Sequence, residues 1–161
     1  RIDGLHGHIH LHPHIRPTMI CEPPKVMVRR LIGNGIHDSE EVMQIPESWL
    51  EGLEVTNADE NQYEGNPWDL TTKISQMNGV ITQSVTLASE AVLLGVPTLL
   101  VSKAKRGFLE RLVNDGYPLF IARETDESIL AAWLAGMHLT EALEEPDWPN
   151  TKSEIINFIK D

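Results

Sequence analysis

Short apolar runs alternate with segments of helical periodicity along the second half of the chain, from about residue 67 onward. A run of about four apolar residues bounded by glycine, proline or asparagine is typical of a buried strand. Between such runs, Leu70, Ile74 and Met77 recur three or four positions apart, which predicts a helix that packs by one face. Two further short runs precede residue 67. The expected strands are Lys25–Val28, Leu53–Thr56, Val80–Thr82, Thr98–Val101 and Pro118–Ala122.

Helices are expected between and after these strands. One begins at Pro67-Trp68-Asp69 and is stopped by Asn78-Gly79, and another starts near Asp38 with acidic residues in its first turn. The remaining helices are expected over 87–94, 107–114, 126–137 and 151–159. Alternating strands and helices predict right-handed β-α-β units on one sheet, and strands that are apolar throughout need cover on both faces. The sequence therefore predicts an α/β fold, a parallel sheet with helices on both faces.

The length and composition are those of an ordinary folded domain. The chain has 161 residues, of which 41% are hydrophobic and 23% charged, so it can bury a core. A domain has roughly 100–200 residues, so the chain is one domain or one half of a two-domain protein. Prolines interrupt the region before residue 25, and we assign 1–24 to an N-terminal linker and 25–161 to the domain. Because the chain starts at Arg1, we expect a partner half to precede it.

The net charge and the cysteine content indicate which partners and which cellular compartment to expect. The 24 acidic and 13 basic residues give a formal charge of −11, which argues against a nucleic-acid partner. The single cysteine, Cys21, cannot form an internal disulfide and suits a reducing compartment, so we expect a cytoplasmic protein. No apolar run reaches the ~18 residues of a membrane span.

The turn after the third expected strand is the strongest candidate site. Ligands of open parallel sheets bind beyond the carboxyl ends of the strands, and a helix N-terminus offers free N–H groups to a phosphate. The turn holds Gln83, Ser84, Val85 and Thr86, and Glu90 follows on the same helix face as Thr86. A carboxylate there can accept two hydrogen bonds from a ribose diol. In the alternative interpretation, Ser84 or Thr86 only caps the helix.

Basic residues follow two other expected strands. Arg29 and Arg30 end the first strand, where a guanidinium can offset diphosphate charge or can simply be solvated. Lys103, Lys105 and Arg106 follow the fourth strand and can hold a phosphate or an anionic lipid headgroup, or can be ordinary loop charges.

Five histidines alternate with other residues near the start of the chain: His6, His8, His10, His12 and His14. In an extended strand they would share one face, and neutral imidazoles on one face are good ligands for zinc or nickel. They come from one proline-bounded segment with no supporting ligand set downstream, so we expect no metal in the core. Four tryptophans, of which Trp68 stands next to the candidate site, are interpreted as packing residues, with base stacking as the alternative for Trp68.

The stretch from Ser84 to Pro97, with Ser89-Glu90 in its helix and Gly95-Val-Pro97 before the next strand, resembles the nucleotide-sugar site of GT-B glycosyltransferases. It is similar to the segment found in the peptidoglycan N-acetylglucosaminyltransferase and in non-hydrolysing UDP-GlcNAc 2-epimerases. Together with Leu11-His12-Pro13 and Val28-Arg29, it most resembles an archaeal family of predicted glycosyltransferases.

The resemblance implies a Rossmann-like, donor-binding half of a GT-B fold, with an acceptor-binding half before Arg1 and no cofactor. Glu90 would bind the ribose of a nucleotide sugar, expected to be a UDP-sugar, and Gln83 to Thr86 would contact its diphosphate, helped by Arg29. The isolated half is expected to bind rather than catalyse. A UDP-GlcNAc 2-epimerase-like domain and a non-catalytic binding or oligomerisation module are the alternatives. Homo-oligomers and peripheral membrane association are further expectations left open.

Overall fold

The structure of the protein, a computed structural model, describes Leu11 and residues 20–32, 42–59, 64–66, 69–139 and 156–157. The strands are β1 (Lys25–Arg29), β2 (Glu54–Asn57), β3 (Gly79–Thr82), β4 (Thr98–Val101) and β5 (Leu119–Ala122). The α-helices are α1 (Leu70–Ser75), α2 (Val85–Leu93), α3 (Gly107–Asn114) and α4 (Glu127–Leu139), and a 3-10 helix spans Glu47–Leu50.

The five strands form one parallel sheet in the order β2-β1-β3-β4-β5. Each strand lies within one residue of its predicted bounds at either end. The prediction of an α/β, Rossmann-like parallel sheet is therefore confirmed. Among the helices, α2 begins at Val85, because Ser84 provides its cap. The helices expected near Asp38 and over 151–159 lie outside the described residues, except for Ile156 and Asn157, which are helical.

Successive strand residues point to opposite sides of the sheet, so apolar strands make both of its faces apolar. Helices cover both faces. Met27 faces a core that α1, α2 and α3 share, whereas Val26 and Val28 face a second core formed with α4 and the 3-10 helix. All three of these β1 side chains are fully buried. Strands that are buried on both faces carry apolar residues at every position, which explains the unbroken apolar runs in the sequence.

Two tryptophans anchor the second core, as expected for packing residues. Trp49 is 2% exposed and Trp133 is fully buried. Their indole N–H groups are satisfied: Trp49 Nε1 donates to Glu127 Oε1 at 2.9 Å, and Trp133 Nε1 donates to the Pro97 carbonyl at 3.0 Å. Trp68 and Trp148 lie outside the described residues.

Asn78 and Gly79 have a different function from the helix stop that the sequence suggests. Helix α1 already ends at Ser75, and Gly79 is the first residue of β3. A Cβ on Gly79 would lie 2.7 Å from both Met137 Sδ and Trp133 Cζ2, so α4 can pack here only against a residue without a side chain. Asn78 is buried, and its Oδ1 accepts hydrogen bonds from the N–H groups of Cys21 at 3.2 Å and Lys25 at 2.9 Å.

The segment assigned to a linker contributes side chains to the domain. Leu11 is 5% exposed and belongs to the core on the α2 side, and Ile20 packs against the core on the α4 side. In the part of the chain that the structure describes, no helix is long and apolar enough to cross a bilayer.

Candidate functional site

The strand order places a crevice between the carboxyl ends of β1 and β3. From β1 the chain first pairs β2 on one side and then adds β3, β4 and β5 on the other, so the direction of winding reverses between β1 and β3. Open α/β sheets bind ligands at such a switch point. A cleft of about 320 Å³ lies there, lined by Leu31, Val42, Gln83, Ser84, Val85, Thr86, Ser102, Arg106 and Phe108.

The turn after β3 presents the N-terminus of α2 to the cleft. Ser84 is the N-cap, and its Oγ accepts a hydrogen bond from Leu87 N–H at 3.2 Å, while Thr82 Oγ1 accepts one from Ser84 N–H at 2.9 Å. The N–H groups of Ser84 and Leu87, which precede and follow Val85 and Thr86, are therefore both hydrogen-bonded. Within the described chain, the N–H groups of Val85 and Thr86 have no acceptor, and both residues line the cleft. Two backbone donors and the positive helix end remain for an anion.

A second helix N-terminus faces the same cleft. Helix α3 begins after Arg106, whose carbonyl accepts a hydrogen bond from Leu109 N–H at 3.0 Å. Among the residues described, none accepts a hydrogen bond from the N–H groups of Gly107 and Phe108. Arg106 is exposed and, with Phe108, lines the cleft. The cleft thus combines two helix ends with one guanidinium, although the chain as a whole carries a charge of −11.

Gln83 connects three segments beneath the cleft. Its side chain is 4% exposed. Its Oε1 accepts a hydrogen bond from Leu31 N–H at 2.7 Å, and its Nε2 donates to the Met43 carbonyl. Leu31 lines the cleft, as does Val42, which forms an isolated antiparallel bridge with Ser102. The Gln83 amide therefore holds two walls of the cleft against the end of β3.

The two arginines at the end of β1 bind groups on β2 and its surroundings. Arg29 Nη1 donates to the Ala58 carbonyl at 2.9 Å. Arg30 forms ion pairs with Asp59 at 3.3 Å and with Glu47 at 3.1 Å, and its N–H donates to Asp59 Oδ1 at 2.8 Å. Neither arginine lines the cleft. Among the residues that the structure describes, Arg106 is the cation that lines the cleft, and the sequence indicates it as part of the basic loop after β4.

Glu90 lies one turn beyond Thr86 on α2. Residues four apart share a helix face and are about 6 Å apart along the axis, so Glu90 follows the cleft-lining Thr86 on the same side of the helix. The side chain is partly exposed, as expected, but it is not part of the cleft wall itself. A ligand that contacts it must extend from the cleft along α2.

Four other cleft residues were not singled out from the sequence: Leu31, Val42, Ser102 and Phe108. Three of them could have been found because they closely follow β1 or β4 or belong to the first turn of α3. Val42 reaches the cleft through its bridge to Ser102 across 60 residues of chain, which no local pattern indicates.

The histidine run lies outside the described residues, so the expectation of no metal in the core stays a prediction. Within the ranges the structure describes, no group of three or more histidine, cysteine or acidic residues could hold a metal ion. Comparisons of the chain with protein-family models, with curated proteins and with solved structures gave no match.

Proposed function

We propose that the domain binds a nucleotide sugar, with its diphosphate in the cleft, as the donor-binding half of a GT-B-type glycosyltransferase. The observation that carries the proposal is the convergence of two helix N-termini, α2 and α3, and Arg106 on one cleft at the switch point of the sheet. A diphosphate has two phosphoryl groups, and the cleft offers one helix N-terminus to each of them. A volume of about 320 Å³ falls within the ~300–1,000 Å³ range of small-molecule sites.

Each group has a distinct role in the proposed complex. The N–H groups of Val85 and Thr86 bind one phosphate, and those of Gly107 and Phe108 bind the other. Arg106 neutralises part of the charge, which a planar guanidinium does well against phosphate oxygens. In a transfer reaction, these donors stabilise the negative charge that develops on the leaving diphosphate. Glu90 accepts hydrogen bonds from the ribose diol one helix turn away.

The proposal extends to the partner and the compartment. A GT-B active site lies between two halves, so an acceptor-binding half supplied by the full-length protein completes the site. The single cysteine, Cys21, suits a reducing compartment, and we place the protein in the cytoplasm.

Thermal unfolding with UDP, GDP, CDP and their sugar conjugates tests the proposal. A ligand at ~100 times its Kd stabilises the folded state by ~2.7 kcal/mol, which a melting curve resolves easily. We expect one nucleotide family to raise the melting temperature. Arg106→Gln should weaken that binding by about 1.5–3 kcal/mol, the value of hydrogen bonds to charged groups. Arg111→Gln, which removes a cation paired with Asp115 outside the cleft, is the matched control.

Two results would contradict the proposal. If no nucleotide changes the melting temperature, the domain is a non-catalytic module rather than a donor-binding half. If the Arg106 and Arg111 variants lose affinity equally, the ligand responds to net charge and does not occupy the cleft.

A further inference from the structure

A cationic loop projects from the carboxyl edge of the sheet next to the cleft. Lys103 and Lys105 are exposed, whereas Ala104 between them is 1% exposed. Ala104 is fixed at both its backbone groups: its N–H donates to Ser102 Oγ at 3.1 Å, and its carbonyl accepts from Arg123 Nη1 at 2.8 Å. With Ala104 held inward on both sides, the two flanking lysines point outward.

Arg123 keeps this loop in place from the neighbouring strand. Its Nη1 also donates to the Lys103 carbonyl at 3.3 Å, so one guanidinium bridges the ends of β5 and β4. Among the described residues, the Lys103 and Lys105 side chains have no acidic partner. The charges of Lys103 and Lys105 are therefore exposed to solvent on this loop.

The charge of this region is opposite to that of the rest of the chain. The loop residues 103–106 contain three basic residues and no acidic one, although the chain carries −11 overall. Such an asymmetry orients a protein in the field of an anionic surface, because the acidic remainder is repelled while the basic edge is attracted.

Large apolar side chains accompany the cations. Phe108 is 39% exposed and follows the basic loop, and Ile32 is 42% exposed and follows Leu31 of the cleft wall. Lysines beside exposed apolar residues suit the boundary between headgroups and acyl chains. A nucleic-acid surface would instead favour a broader set of phosphate contacts than this small patch offers.

We propose that this edge, the basic rim formed by Lys103, Lys105, Phe108 and Ile32, docks on the surface of an anionic lipid bilayer. The cations contact the lipid phosphates and the apolar side chains enter the interface. Docking would leave the cleft mouth beside the headgroups. The proposed docking does not require a nucleotide, so its test is independent of the test of the proposed function.

Co-sedimentation of the full chain with vesicles tests the docking. One set of vesicles is pure phosphatidylcholine and the other contains about one-third phosphatidylglycerol. We expect binding to the anionic vesicles only, and release in 0.5 M NaCl because salt screens exposed charges. Lys105→Gln should weaken binding about fivefold and Lys103→Gln/Lys105→Gln about 25-fold, since each cation near an anionic surface contributes roughly that much.

Two further variants separate the contribution of the charges from that of the apolar side chains. Lys25→Gln makes the same change of charge at an exposed position away from the rim, because Lys25 is the first residue of β1 and the rim lies at the carboxyl ends of the strands. This variant should change binding less than twofold. Ile32→Ser should weaken binding by at least about fourfold, the effect of one methylene group leaving the bilayer. Circular dichroism verifies that all variants remain folded.

Several outcomes would overturn the proposal. These are no binding of the unsubstituted chain to anionic vesicles, equal binding to neutral vesicles, and equal losses for Lys25→Gln and Lys105→Gln. Tighter binding to a single-stranded RNA oligonucleotide than to the vesicles would identify the rim as a nucleic-acid surface instead.

Discussion

The side-chain carbonyl of Gln83 accepts a hydrogen bond from the backbone N–H of Leu31 at 2.7 Å, across 52 residues of chain. The same amide donates to the Met43 carbonyl, so one buried side chain fixes both segments that border the cleft. A buried amide that satisfies two backbone groups cannot be exchanged for an apolar residue without leaving both unpaired.

Gln83→Leu should therefore destabilise the domain by about 2 kcal/mol or more, because the Leu31 N–H and the Met43 carbonyl, both in half-buried residues, each lose their partner at a cost of about 1–3 kcal/mol. Urea denaturation followed by circular dichroism measures the loss. Gln44→Leu, at an exposed position close to Met43, is the control and should change stability by less than about 0.5 kcal/mol. Equal stabilities of the two variants would mean that the Gln83 amide is not structural.

Glu90→Gln tests the ribose contact of the proposed function. Removing the negative charge should weaken nucleotide binding by about 1.5–3 kcal/mol, the range for hydrogen bonds that involve a charged group. The variant should remain folded. Isothermal titration calorimetry gives the affinity, and Glu54→Gln, exposed at the start of β2, serves as a control that should bind normally. Unchanged affinity in the Glu90 variant would remove this residue from the site.

Gly79→Ala should destabilise the domain by about 1–3 kcal/mol, since the added methyl would overlap Met137 and Trp133 in a packed core. The contrast is with Gly107→Ala, where nothing lies within 4 Å of the added Cβ and stability should hold or rise slightly. Thermal melts of both variants are sufficient. If Gly79→Ala melts like the unsubstituted chain, α4 does not pack against β3 as the structure shows.

Asp126 makes stability depend on pH. Its Oδ1 accepts a hydrogen bond from Ser128 N–H at 2.8 Å, and this backbone bond, followed by one from the Ser128 side chain, lowers the pKa of the carboxyl. A carboxyl whose pKa is lower in the folded than in the unfolded state stabilises the fold above its usual pKa of about 3.9, and this contribution is lost as the pH falls through the folded value.

In the Asp126→Asn variant, the free energy of unfolding should consequently depend less on pH in the acid range. The free energy of unfolding of the unsubstituted chain should fall more steeply than that of the variant between pH 5 and pH 2.5, measured by urea denaturation. Asp69→Asn is a suitable comparison, because Asp69 also precedes a helix but its side chain makes no capping hydrogen bond. Parallel curves for the unsubstituted chain and Asp126→Asn would contradict the assignment.

The sheet could be predicted from sequence because its determinants are local. Strands such as Leu119–Ala122 are apolar at every position, and Ser84 marks a helix start by its residue type. These signals need no knowledge of which strands are neighbours.

The details of the site depend on pairing, which the sequence does not contain. Arg29 and Arg106 both follow strands and look alike in the sequence. Only the pairing of β1 with β2 brings the Ala58 carbonyl to Arg29, and only the winding of β4 and α3 brings Arg106 to the cleft. Gln83 lines the cleft, and its side-chain amide also bonds Leu31 and Met43, which come from distant segments that no local pattern connects to it.

Residues upstream of residue 25 contribute contacts to the core of this domain. Leu11 fills part of the core beside α2 at 5% exposure, and the Cys21 N–H is bonded to Asn78. Losing a buried leucine side chain costs about 2–5 kcal/mol, a large part of the stability of a small domain. A protease that cut between Leu11 and Lys25, and let the leading peptide diffuse away, would therefore destabilise this domain rather than merely trim it.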